Sequence, residues 1–322
     1  MKIKKLDNIN RQILIILEKD GRYSYTKLAK KLNLKVSTVS KRISYMLEND
    51  LISINAVPNP HRIGYKVMVF IALNVDILRV KTVCDKLIEN PNISSIVTTF
   101  GRFDILIFAE FLDLNDLNKL VREELPYIEG INRIDTFFIS EIKKRYEKIF
   151  SSDSLIDNPV QICEMDEKLI SELRKDGRAN YTELAKRFNT SSATISRRVA
   201  SLIRNEVIKI TVVPNPSKLL GFSAVAYLGL QTELKKINRI SDELSSFPEV
   251  YTVMTLMSSF SILAIVVLPN FELLYQFIID KIAPINGVIK VETLIRAELR
   301  KRTYLAFNLG ETLDQLATDD SI

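Results

Sequence analysis

Residues 18–43 of the chain, EKDGRYSYTKLAKKLNLKVSTVSKRI, return at 174–199 as RKDGRANYTELAKRFNTSSATISRRV, a constant offset of 156. The match continues through VPNP at 57–60 and at 213–216. One residue is then added, so that Gly64 answers Gly221 at an offset of 157, held as far as EIKKR at 141–145 against ELRKR at 298–302. A unit of this length is far too long for a solenoid repeat, so the chain is a duplicated two-domain protein. Whatever the first half folds into, the second must fold into as well. Any apolar face that one copy cannot cover has a matching face in the other.

Each copy opens with a head of about 50 residues that reads as three helices. In the first, Ile9, Ile13, Ile16 and Leu17 recur at helical spacing before DGR at 20–22 stops the run. Leu28, Ala29 and Leu32 mark a short second helix, Leu34 fills the turn, and Val39, Ile43, Met46 and Leu47 line a third. Leu184, Phe188, Ile195, Val199 and Leu202 take those parts in the second copy. Ala29 and Ala185 are small where the second and third helices must cross closely, the layout of a helix-turn-helix.

Charge supports a polyanion as partner. The 322 residues carry a net +6, but residues 1–50 alone hold 12 Lys and Arg against 5 Asp and Glu, which is +7, and everything after sums to −1. Residues 164–206 hold 9 basic and 7 acidic residues, or +2. Double-stranded DNA is therefore the expected partner. A recognition helix reads base edges with its N-terminal exposed positions and holds phosphates with its cations. The candidates are Ser37, Thr38, Ser40, Lys41 and Arg42, and in the second copy Ser192, Thr194, Ser196, Arg197 and Arg198. Ser37, Thr38, Ser192 and Thr194 suit base or sugar contact, and the cations suit phosphate. Ser191 can cap its helix, whereas the equivalent Lys35 cannot accept an amide hydrogen bond and opposes the dipole, a cost that a phosphate contact would justify. The first head should thus make the stronger, more salt-dependent contact. Because the two helices differ in sequence, an asymmetric operator is expected in place of a palindrome.

Each body, about 80 residues, alternates differently. In the first, 66–75 reads as a strand, 78–90 as a helix, ISSIVTTF and FDILIFAEF as strands joined at Gly101-Arg102, 114–125 as a helix and 131–142 as a last strand. The order β-α-β-β-α-β is the ferredoxin-like plan, a sheet with helices on one face. The other face needs a cover, and the second body is the obvious one. The expected fold class is thus α+β: two winged-helix or helix-turn-helix heads and two ferredoxin-like bodies. The expected division is 1–52 for the first head, 53–65 for a hinge, 66–146 for the first body and 147–163 for a linker containing SSDSLIDNPVQ. The second head then spans 164–208, its hinge 209–222, its body 223–305 and a C-terminal tail 306–322.

Other chemistries have little to work with. His61 is the only histidine and falls in an expected loop, so zinc sites and histidine-based triads lack their ligands and bases. No phosphate-cradling glycine motif is present. Cys84 and Cys163 lie far apart and in no motif, as expected of reduced thiols in a cytoplasmic protein. No run of about 18 apolar residues exists, and the interrupted apolar stretch after MKIKK does not read as a signal peptide. No metal, cofactor or catalytic residue is expected.

A head carrying DGR…LAKKLN…SKRI, a VPNP hinge and a body containing FGRFD resemble the Lrp/AsnC (feast/famine) family of transcription regulators. The resemblance covers nearly the whole chain, twice, whereas family members normally carry one head and one body. It implies a DNA-binding head and a body, of the RAM type, that dimerises and binds small effectors, usually amino acids. It further implies an effector site at Gly101, Arg102 and Asp104, where a ligand ammonium would meet the carboxylate and its carboxylate would meet backbone N–H groups. The bare residues also fit a hairpin turn with a solvated or ion-paired Asp104. In the second body Ser258 and Ser261 replace Gly101 and Asp104, so a site of that kind is not expected there. One chain is then equivalent to a family dimer, open to further assembly. The enzymatic alternative is a sirohaem decarboxylase, built on a similar head-and-body plan, and a co-regulator with weakly binding heads is a third reading.

Overall fold

The computed structural model describes residues 7–145, 159–219 and 221–301. The first copy runs α1 (Asn8–Lys19), α2 (Tyr25–Leu32), α3 (Val36–Glu48), β1 (Ile52–Pro58), α4 (Pro60–Ile63), β2 (Val67–Val75), α5 (Val80–Ile88), β3 (Ile93–Phe100), β4 (Ile105–Phe111), α6 (Leu114–Asn118) and β5 (Ile131–Arg145). The second repeats the order as α7 (Glu164–Lys175), α8 (Tyr181–Arg187), α9 (Ser192–Arg204), β6 (Ile208–Pro214), α10 (Pro216–Leu219), β7 (Ala224–Thr232), α11 (Ile237–Ser246), β8 (Val250–Met257), β9 (Ile262–Leu268), α12 (Phe271–Phe277) and β10 (Val288–Lys301). The C-terminal tail lies outside the described residues. The elements sort into two compact units, one holding both heads and one holding both bodies.

In the head unit, local chemistry sets the helix ends. Asp7 accepts from the Asn10 amide at 2.8 Å and Ser24 from the Lys27 amide at 3.1 Å, each satisfying a donor that the first turn leaves unpaired. Asn33 ends α2 in the left-handed region, φ 54°. The buried core comprises Ile13, Leu14 and Leu17 with Leu28, Ala29, Val39, Ile43 and Met46. Leu14, not Ile16, completes the α1 face. Ile16 is half-buried and lines a shallow groove of about 510 Å³ with Gln12, Ile15, Tyr23 and Lys31. Leu47 is likewise outside the core, at 37% exposure. His61 sits on α4, where the Asn59 side chain accepts from its amide, and not in a loop. The heads meet through β1 and β6, which pair antiparallel with Asn55 opposite Thr211. The ribbon strand beside each helix-turn-helix is therefore half supplied by the other copy.

In the body unit the strands close into a barrel in the order β10-β3-β4-β2-β5-β8-β9-β7. Within it, β3-β4-β2-β5 is one ferredoxin-like sheet and β8-β9-β7-β10 the other. The expectation that the second body covers the first is met by edge pairing as well as by face packing: β5 pairs with β8 and β10 with β3. Matched bulges, at Ile139/Glu141 and Arg296/Glu298, bend these long strands around the closure. Outside, Val83, Cys84, Leu87, Leu117 and Leu120 pack on Ile71, Leu73, Ile107 and Phe111. Burial there pushes the Cys84 thiol up to about 11. The helix expected at 114–125 changes pitch after Asn118, passing through wider π-helical turns to a 3-10 turn at Leu125–Tyr127. Pro126 has no N–H with which to continue the ladder. Inside, Phe70 lies 5.3 Å from Phe108 and 6.4 Å from Tyr227, and Phe137 stacks on Phe260 at 5.6 Å.

This interior makes one pH dependence explicit. Burial pushes the Tyr227 phenol up to about 12, against the opposing charge of Arg296. The unfolded phenol titrates near 10, so the neutral side chain's stabilisation is complete below about pH 10 and is lost as pH rises towards 12. Two pH units correspond to about 3 kcal/mol. Denaturant midpoints should therefore fall over that window, and Tyr227→Phe should show a shallower decline. Parallel curves for the two proteins would refute the assignment.

Candidate nucleic-acid interface and effector site

The recognition helices begin differently. Lys35 occupies the α3 cap position and makes no side-chain cap bond, whereas Ser191 Oγ accepts from the Thr194 amide at 3.0 Å on α9. Lys35, Ser37 and Lys41 are exposed, as are Ser192, Ser196 and Arg197; Thr38, Ser40 and Thr194 are half-buried. Thr194 also bonds Ser191 Oγ at 2.9 Å, so its hydroxyl is engaged at the cap. Among the described residues Lys35, Lys41 and Arg197 have no carboxylate partner. Val36, 44% exposed at the first turn, escaped notice because an apolar residue in an amphipathic run is ordinarily assigned to the core. Ser192 stands in its place on α9.

Arg42 and Arg198 are placed otherwise. Arg42 donates from NH1 to Asp7 Oδ2 at 2.5 Å and to Asn10 Oδ1 at 2.9 Å. Arg198 donates to Asp166 Oδ1 at 3.1 Å and to the Cys163 sulfur at 3.2 Å. At an offset of 156, Cys163 answers Asp7 and Asp166 answers Asn10, so the carboxylate has moved three positions while the tie survives. Partial burial works to raise the Asp7 carboxyl, but the Asn10 amide and the Arg42 guanidinium outweigh it and hold the group below the usual range. Both arginines thus fasten the start of the first helix to the recognition helix. Periodicity carries no signal for this contact, because it joins residues 35 positions apart.

At the barrel end, Gly101, Arg102 and Asp104 are brought together with residues of both bodies. The connection between β3 and β4 is the four residues 101–104, longer than the two-residue turn expected. Gly101 has φ +141°, and a Cβ there would lie 2.8 Å from Leu294 Cδ2 and 3.1 Å from Thr293 O. Close approach of β10 therefore accounts for the glycine. Arg102 sets its guanidinium 5.0 Å over Phe103 and 5.9 Å over Phe260, with NH1 3.7 Å from Glu292 Oε2. Phe103 turns to pack edge-on against Phe137 at 5.8 Å, while Ile105 joins the helix-covered core. The strand alternation expected across 103–105 is broken by this turn.

Asp104 Oδ2 accepts from the Val75 amide at 2.9 Å and lies 3.4 Å from Asn74 Nδ2. Ser261 Oγ accepts from the Thr232 amide at 3.2 Å, the same bond displaced by 157 residues. One part of the Asp104 role, pairing a backbone N–H at the strand end, therefore survives in serine. What serine lacks is the charge and the second oxygen. Asp104 Oδ1 has no bond among the described residues.

A family model of the AsnC-type helix-turn-helix domain matches residues 6–47, and one of a winged helix-turn-helix DNA-binding domain matches 164–209. The Lrp/AsnC ligand binding domain matches twice, at 68–149 and 225–305. An uncharacterized HTH-type transcriptional regulator of Pyrococcus horikoshii is 31% identical over 148 residues, which are 94% of its length and 45% of this chain. The HTH-type transcriptional regulator FL11 of Pyrococcus furiosus is 29% identical over 140 residues, 92% of its length and 43% of this chain. Among solved structures, the siroheme decarboxylase NirDL, in co-complex with an iron-uroporphyrin III analogue, aligns over 97% of this chain and 98% of its own. Its TM-score is 0.62 at 16% identity, a likeness of fold. No described helix is long and apolar enough to cross a membrane.

Proposed function

Because the chain belongs to the Lrp/AsnC family of transcription regulators, with the family's ligand binding domain matched twice and a helix-turn-helix domain ahead of each copy, we propose that it binds DNA as a single-chain pseudo-dimer. Helices α3 and α9 each enter a major groove. The observation that carries this reading is the set of exposed cations, Lys35, Lys41 and Arg197, that have no carboxylate partner among the described residues, on two recognition helices of one head unit. These three hold phosphates. Ser37, Thr38, Ser40, Ser192 and Ser196 face bases or sugars, while the hydroxyl of Thr194 is held at the cap by Ser191. Arg42 and Arg198 act chiefly by fixing the recognition helix on its own head. Val36 offers an apolar contact to a thymine methyl that Ser192 cannot make, so the half-sites differ. Genome-wide mapping of bound DNA, with and without amino acids, tests the reading. Perfectly palindromic sites would overturn the asymmetry, and the absence of any enriched site would overturn DNA binding.

Lys35 supplies a sharper test. Lys35→Ser copies the cap of the second head and should stabilise the chain by about 0.5–1 kcal/mol. It should also lower the slope of log affinity against log salt by about 0.9, one phosphate contact. Chemical denaturation and salt titrations of duplex binding measure the two. An unchanged slope would remove Lys35 from the interface.

The first body, in this proposal, senses an amino acid at the barrel end, its ammonium on Asp104 Oδ1 and its carboxylate near Arg102 and the backbone of 101–104. Support comes from Asp104 Oδ1, which has no bond among the described residues, and from the bridging position of Arg102 between the copies. A second reading, tetrapyrrole decarboxylation, has the whole-chain fold likeness on its side. Against it stands the placement of the single histidine, on α4 in the head unit. Absorbance after incubation with sirohaem separates the two: a shifted tetrapyrrole band with carbon dioxide release would favour the enzyme.

A further inference from the structure

The tripeptide DGR, at Asp20–Arg22 and again at Asp176–Arg178, is left over by the DNA-facing surface and by the barrel. In sequence it only stops a helix. In the head unit it crosses to the other copy. The Gly21 amide donates to Ile210 O at 2.8 Å, and the Gly177 amide donates to Ile54 O at 2.7 Å. A Cβ on Gly21 would lie 2.9 Å from the Thr211 nitrogen, and one on Gly177 2.9 Å from Ile54 O, so the ribbon backbone leaves no room for any other residue. Arg22 then lays its guanidinium on the opposite turn, NH1 donating to Gly177 O at 2.8 Å and NH2 to Ala179 O at 3.1 Å, with its central carbon 4.1 Å from the Tyr181 ring centre. Arg178 returns the contact, donating to Tyr23 O at 2.8 Å and lying 4.6 Å over Tyr25.

The pseudo-twofold axis adds a second pair of ties. Asn55 and Thr211 face each other across the ribbon, and they are equivalent residues, 156 apart. Asn55 Nδ2 donates to Arg174 O at 2.8 Å and Lys175 O at 3.2 Å, carbonyls at the end of α7. Thr211 Oγ1 donates to Glu18 O at 2.7 Å, at the end of α1. Each strand therefore satisfies carbonyls that the opposite head's first helix leaves unpaired. A two-stranded ribbon alone is marginal. Guanidinium groups spread over facing carbonyls and tyrosine rings hold angle as well as distance. The clamped turns lead straight into α2 and α8, which carry α3 and α9.

We propose that Arg22 and Arg178 are positioning residues for DNA recognition: by clamping each head's first turn to the other's, they fix the separation of α3 and α9 and hence the half-site spacing the chain accepts. This rests on the reading of the heads as a DNA interface. The test uses the full chain and two readouts. Spin labels at Glu48→Cys and Arg204→Cys, in a Cys163→Ser background, report the distance between the recognition helices. Duplexes with the half-sites moved by about half a helical turn, roughly 5 base pairs, report the spacing demanded. The reference, with both arginines in place, should show one narrow distance and at least about a tenfold weaker grip on the shifted duplex, since only one head then engages and the gain from linkage is lost. The Arg22→Met/Arg178→Met double variant keeps the aliphatic stems and should show a broadened distance and a penalty below about threefold. A distance as narrow as the reference overturns the proposal, and so does a broadened distance with the penalty intact. Failure of the reference to bind any duplex overturns the DNA reading alone, and the distances still decide whether the arginines position the helices. Should the double variant not fold, Arg22→Lys, which keeps charge but loses the fork, is expected to give intermediate values of both.

Discussion

Reversing the charges of Lys41 and Arg197 together should weaken duplex binding by about 100-fold or more at about 0.1 M salt, and should lower the salt slope by about 2. Both side chains are exposed and have no carboxylate partner among the described residues, so glutamate there costs the head little stability. Arg42→Ala is the contrasting case. Its guanidinium is bonded to Asp7 and Asn10, and its loss should appear as about 1–3 kcal/mol of stability with the slope nearly unchanged. Fluorescence anisotropy over a range of salt, beside denaturation curves, reads all of these. A slope that falls by a full contact in Arg42→Ala, or that stays level in the charge-reversed pair, would reverse the division between phosphate clamps and internal ties.

The second large effect concerns Asp104. Asp104→Ala removes the acceptor of the Val75 amide and should cost about 1–3 kcal/mol, as Ser261→Ala should through the Thr232 amide. Comparing the two alanine variants therefore mixes a lost strand-end bond with a lost ligand group. Asp104→Ser separates them. It installs the residue that the second copy already uses for this bond, so the body should keep its stability while any amino-acid response disappears. Calorimetric titration with amino acids and thermal melting of the same samples give the two answers. Binding that survives Asp104→Ser would leave the residue with the structural part alone, the part that Ser261 shares. Equal loss of response in Asp104→Ser and Ser261→Ala would place the effector on a feature common to both copies.

Most of the fold is written along the chain. The repeat, the three-helix heads and the β-α-β-β-α-β bodies were legible because apolar periodicity is a local signal, set by the geometry of helix and strand. The positions assigned to the head cores that lie outside them, Ile9, Ile16, Leu32, Leu47 and Phe188, lie at the margin of a helix face. There a rotation of one residue position, set by what packs opposite, decides between core and groove. The candidate DNA surface was legible as a set of exposed positions, but which cations lack a carboxylate partner among the described residues was not. Asp7 and Asp166, which claim Arg42 and Arg198, stand at different repeat positions, so alignment of the two copies does not reveal the shared tie. Likewise the Gly101/Ser258 and Asp104/Ser261 differences read as loss in the second copy. Only the paired amide bonds show what was kept.

By itself, then, the sequence determined that two copies of one head-and-body unit exist, what elements compose each, and where positive charge gathers. The tertiary structure decided how the copies meet. The head ribbon places Asn55 opposite Thr211, the barrel closes through β5–β8 and β3–β10, and the DGR turns clamp across the axis. The reason is physical. Elements follow from interactions over a few residues, whereas the pairing of the copies rests on backbone hydrogen bonds and guanidinium contacts between groups about 150 residues apart, which no local pattern encodes.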